Sequence, residues 1–175
     1  MADFDAQATY DLETEELECI KQHFNLDVGT HAGLVKLRPR HFIDDLPYQV
    51  HTNRELALML AGKKPFAAFS GTYPSCPGIE EIPERLFDPY VATGRLLKRE
   101  YVEPMREGMT QQIRRVMYAL HIEAWRINAY VLLLQTARKV GWNEGFERME
   151  GSLLGYEEWQ NDAYIEAMQR RNQQA

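Results

Sequence analysis

Apolar positions 113, 116, 117, 120, 124, 127, 131 and 134 recur at steps of mostly three or four. No proline or glycine interrupts the chain from Thr110 to Val140, so the spacing predicts one long helix there. Tyr130, Leu132 and Leu133 make its second half apolar nearly all round, as in a helix covered by several neighbours. Gly141 terminates it, Asn143 caps a shorter helix to about Leu154, and Gly155 breaks that one. A last helix is predicted over Glu157–Arg170, with Trp159, Ala163, Tyr164, Ile165 and Met168 on its apolar side. Near the start, Leu12, Glu16, Cys19, Ile20 and Phe24 share a helical face. This predicts an amphipathic helix over 11–25 behind a flexible start over 1–10.

The middle of the chain has shorter periods. Leu34–Leu37 and Tyr48–His51 read as β-prone pieces between turn residues. Asn53 is positioned to cap a helix over Arg54–Ala61, which Gly62 ends. Lys64–Ser70 reads as a buried strand and Gly94–Val102 as another, closed by Pro104. Prolines 74, 77, 83 and 89 exclude a continuous helix between them, leaving room for a turn of helix near Glu80–Phe87. The expected class is α+β in a single domain spanning 1–175. A small sheet in the first ~100 residues, within a mixed part over 28–104, would pack on a C-terminal layer of three helices over 110–172.

Composition supports a folded body. Of the 175 residues, 45% are hydrophobic and 26% charged, which excludes a disordered chain, a collagen or a coiled-coil rod. The longest uninterrupted apolar run near the centre of the long helix, Ala129–Leu134, is far short of the ~20 residues that span a bilayer. No secretory or lipid-anchor pattern is read at the start, and Cys19 and Cys76 are expected to be reduced, so the expected location is cytoplasmic.

Charge changes the picture more. The net charge of −6 argues against nucleic acid as a partner. Asp3, Asp5, Asp11, Glu13, Glu15, Glu16 and Glu18 fall in the first twenty residues with no basic residue, which leaves the rest near neutral. Such a segment suits docking onto a basic protein, since opposite charge speeds encounter and sharpens specificity.

Several residues are candidates for chemistry. His31, His41 and His51, near Asp44 and Asp45, contain the donor types of a zinc or iron site. They lack the pairing within one element that presets two ligands, so no metal or cofactor is assigned. The stretch Phe69–Gly78 offers Ser70 and Thr72 to an anion, with Lys63 and Lys64 upstream, yet its order is neither a P-loop nor a nucleophile elbow. Glu123 lies within the predicted long helix, where Arg126 at i+3 can pair with it; Glu147 and Glu150 share a face. Trp125, Arg126, Tyr130, Trp142, Phe146, Arg148, Tyr156, Trp159 and Tyr164 include the residue types that dominate both interfaces and cores.

The reading these features favour is a non-catalytic binding protein of adaptor, inhibitor or immunity type. It would recognise a macromolecular partner through Asp11, Glu13, Glu15 and Glu16 together with Trp142 and Trp159. Two alternatives stay open. One is a small enzyme drawing on His31, His41, His51, Ser70, Glu123 and Arg126, between sheet loops and helical layer. The other is a subunit of a homo-oligomer that buries the apolar stretch 127–134.

Overall fold

A computed structural model describes residues 42–74, 81–105 and 111–174. The predicted helix over 11–25, the piece at 34–37, both cysteines and the acidic residues of the first twenty lie outside the described residues, as do His31 and His41.

A 3-10 turn at Phe42–Asp45 leads through irregular chain and a turn to helix α1 (Glu55–Leu60). Strand β1 (Phe66–Tyr73), helix α2 (Glu84–Ala92), strand β2 (Leu96–Pro104) and strand β3 (Gln112–Leu120) follow. A 3-10 turn at His121–Glu123 then opens helices α3 (Trp125–Val140), α4 (Glu144–Leu153) and α5 (Glu158–Gln174). The chain is therefore α+β, with a small antiparallel sheet and a C-terminal layer of three helices.

Strand order is β1-β3-β2, with β3 antiparallel to both neighbours. The last strand in sequence is thus the central one. The apolar spacing predicts helix over residues 112–120, and the structure corrects it. Val116, Met117, Tyr118 and Ala119 are all fully buried. In a strand covered on both faces every position is apolar, so alternation vanishes and the run mimics a buried helix. Two smaller corrections concern the α1 region. Tyr48–His51 belongs to no strand: Tyr48 lies in a bend and 49–51 have no regular structure. Asn53 adopts a left-handed backbone (φ 67°), and Arg54, not Asn53, stands at the helix start.

The pleat explains how the sheet joins its two layers. Phe66, Ala68, Met117, Ala119, Leu97 and Tyr101 share one face and pack against Ile127, Tyr130, Leu133 and Leu134 of α3. Ala67, Phe69, Val116, Tyr118 and Leu96 share the other, against Leu56 and Met59 of α1 and Phe87 of α2. Charged residues obey the same alternation. Arg114 and Lys98 emerge on the α2 side and pair with Glu84, Glu100 and Asp88. Arg115 emerges on the α3 side and pairs with Glu103, which Arg138 also reaches. Adjacent arginines in sequence thus serve opposite layers.

Candidate functional site

The α3–α4 pair presents a surface groove of about 700 Å³. α3 contributes Trp125, Ala129, Leu132, Leu133 and Thr136; α4 contributes Phe146, Met149 and Leu153. On α3 Trp125, Ala129, Leu132 or Leu133, and Thr136 step by three or four over eleven positions, which is about 16 Å at 1.5 Å per residue, or three helical turns. Asn143 sets the start of α4 by accepting the Phe146 amide, so Phe146 and Met149 face the same side. Leu132 is 63% exposed, Trp125 55% and Met149 48%. The floor is formed by core residues Leu133, Phe146 and Leu153.

The groove holds two cations and no carboxylate among its lining residues. Arg126 donates to Glu123 (2.7 Å) and to the carbonyls of Ser152 and Leu153, and its guanidinium lies 4.7 Å from the Trp125 ring centroid. It therefore locks the start of α3 to the end of α4. Arg148 pairs with Asp162 and Glu144, tying α4 to α5. Arg126 thus ties the two walls at one end of the groove, while Arg148 braces α4 against α5.

A second, polar cluster lies where residues 48–51 cross the α4–α5 turn. Lys64 is only 1% exposed, and its ammonium donates to the Leu154 carbonyl (2.8 Å) and to Nδ1 of His51 (3.1 Å). An ammonium cannot accept, so Nδ1 is the acceptor and the His51 ring carries its proton on Nε2. That ring stacks on Tyr156 at 4.1 Å and 10°, and the His51 amide donates to the Tyr156 hydroxyl. Tyr48 packs against Tyr156 and edge-on to Trp159. Burial, then the neighbouring Lys64 and Arg54 cations, pushes His51 down to about 3. Burial lowers Lys64 to about 8, against the pull of Glu55, whose own carboxyl burial raises.

The sequence-derived site residues separate into different settings. His51 sits in the Lys64 cluster. Ser70 is on β1, not in a loop, and its hydroxyl accepts from Arg115 (2.9 Å). Thr72 is also a strand residue, and both its amide and its hydroxyl donate to the Glu81 carboxylate. A carboxylate thus stands where an anion was expected, and Lys64 points into the interior. Glu123 lies in the 3-10 turn ahead of α3, not mid-helix, and pairs with Arg126. Glu147 and Glu150 are engaged separately, by the Trp142 indole and the Tyr130 hydroxyl. Trp142 and Trp159 are 43% and 48% exposed, and Trp159 donates to Glu157. In the stretch 127–134, Ile127, Tyr130, Leu133 and Leu134 are buried within the chain, which leaves Leu132 as its main outward apolar residue.

Sequence reading missed Leu132 and Met149 as surface features, and it offered Lys64 to an anion although its ammonium is buried against Leu154 and His51. The i, i+7 step from Trp125 to Leu132 was available; nothing local tells that the Lys64 ammonium bonds to Leu154 and His51. Among the described residues, no group of three or more His, Cys, Asp or Glu gathers to hold a metal ion, and no helix is long and apolar enough to cross a membrane. In comparisons with known proteins, no family model matches the chain, and no curated protein or solved structure matches it.

Proposed function

We infer that this is a non-catalytic protein-binding module whose recognition surface is the α3–α4 groove, and that its occupant is an amphipathic helix of a partner protein. One observation carries this reading: an apolar trough three turns long, walled by half-exposed Trp125, Leu132 and Met149. A helix lays its apolar face into such a groove with anchors at i, i+3 or i+4 and i+7. Exposed large side chains over a packed floor also match the make-up of binding hot spots. The acidic N-terminal segment would steer the encounter with a basic region of the same partner. The small-enzyme reading has less support, because His51, Ser70 and the Glu123–Arg126 pair each bond to different neighbours.

The test begins with affinity capture by the full-length protein and continues with the captured protein purified and titrated directly. Leu132→Glu and Met149→Glu should each weaken that binding at least ~10-fold, about 1.4 kcal/mol, while leaving thermal stability nearly unchanged, because both side chains are exposed. Removal of residues 1–18 should weaken binding less and reduce its salt dependence. Binding unchanged by both groove substitutions, or absence of any direct partner, overturns the reading.

A further inference from the structure

The Lys64 cluster suggests a device separate from the groove. Residues 48–51 meet the helical layer through contacts centred on His51: the stack on Tyr156, the amide bond to its hydroxyl, and the bond from Lys64 to Nδ1. Tyr48 adds its two aromatic contacts. The Lys64 ammonium cannot step aside, because it is buried and anchored to the Leu154 carbonyl.

We propose that residues 48–52 form an acid-released strap, in which protonation of His51 ejects the strap from the α4–α5 turn while the sheet and helices stay folded. Protonation at Nδ1 destroys the acceptor and places an imidazolium proton against an ammonium 3.1 Å away. Two cations at that range, one of them on a buried lysine, repel strongly. Swinging out removes both faults, since the ring then meets water. Opening bares the Lys64 ammonium and the faces of Tyr156 and Trp159 that Tyr48 and His51 cover.

The surrounding groups set the sign. Arg54 and Lys64 are cations and favour release of a protonated ring. Tyr48, Tyr156 and Tyr164 face the site from the strap and from the helical layer; all three are held neutral, with ionisation shifted up. Glu55 faces Lys64 from α1. Burial makes its carboxyl easier to protonate in the seated state, which opposes release slightly. Glu55 is unchanged in a His51 variant, so its effect cancels in the comparison below. At the alkaline end the strap stays seated, because a neutral Lys64 amine still donates to Nδ1.

A ring that titrates near 6.5 when released and near 3 when seated makes opening roughly 25-fold more frequent at pH 5 and roughly 200-fold at pH 4 than at neutral pH. Hydrogen exchange of the full-length protein, read by mass spectrometry and corrected for intrinsic exchange, measures this on a peptide spanning 47–53, with β3 as internal reference. Wild type should show a rise of about two orders of magnitude in strap opening by pH 4, with β3 protected throughout. His51→Gln, whose amide oxygen still accepts from Lys64 but does not titrate, should show no such rise. His51→Phe, which keeps the stack on Tyr156, makes the same comparison if the glutamine variant does not fold. A rise below threefold in wild type, an equal rise in the non-titrating variant, or loss of β3 protection in step with the strap would each overturn the proposal. None of these outcomes bears on the groove, whose substitutions lie on α3 and α4.

Discussion

Gly155 is a residue with no tolerance for a side chain. Its backbone is left-handed (φ 90°), and a Cβ there would collide with the ring of Pro65. Gly94 is also left-handed (φ 72°), but a Cβ there meets open space. Gly94→Ala should therefore cost only the backbone penalty, about 1 kcal/mol, whereas Gly155→Ala adds a backbone-to-ring clash and should cost on the order of 3 kcal/mol. Thermal melts of the two variants against wild type measure the difference, and equal shifts would show that the Pro65 contact yields easily. The position of Gly155 follows from sequence, since a glycine after an amphipathic run marks a helix end. Its contact with Pro65 does not, because ninety residues separate the two.

At the scale of elements, the parts legible in sequence are those with local punctuation. Asn143 caps α4 as expected, Gly141 and Gly155 bound it, and Pro104 closes β2. Asn143→Ala removes the acceptor for the Phe146 amide and should cost about 1 kcal/mol. Because Phe146 forms part of the groove floor, the same variant should also weaken groove binding modestly; calorimetry against the purified partner would show it. Legibility fails at β3. Ile113, Val116, Met117 and Leu120 satisfy a helical step and a strand equally well, and no glycine or proline marks the change at residue 121. What decides for strand is pairing: β1 and β2 each supply a full antiparallel ladder to it, and neither can exist in this sheet without it. The groove was half legible. Trp125, Arg126, Phe146 and Arg148 belong in sequence to one group of residue types common to interfaces and cores, but only the packing of α3 on α4 separates floor residues from exposed walls.

Across the whole molecule, charge is sorted by layer. Glu84, gripped by Arg114 and Lys98, is held down at about 2, so it stays ionised through mild acid and keeps α2 on the sheet. The alkaline side is more distinctive. Lys64 sheds its proton near 8 in the folded chain but near 10.5 when unfolded. Between those values the unfolded chain binds the extra proton, so raising pH favours the fold. Stability to urea should therefore rise from pH 7.5 to 9.5 by roughly 2 kcal/mol, before the buried tyrosines begin to favour unfolding above pH 10. Lys64→Met should lack the rise, and a wild-type profile that is flat or falling over this window would contradict the burial of a charged lysine. By itself the sequence determined the α+β class, the three C-terminal helical segments down to the cap and breakers of α4, and the acidic bias of the first twenty residues, because composition, caps and breakers act within a few residues. Only the tertiary structure decided the central place of β3, the burial of Lys64 beneath His51 and the opening of a groove between α3 and α4. Each of those depends on surfaces meeting across tens of residues, where burial and pairing outweigh local preference.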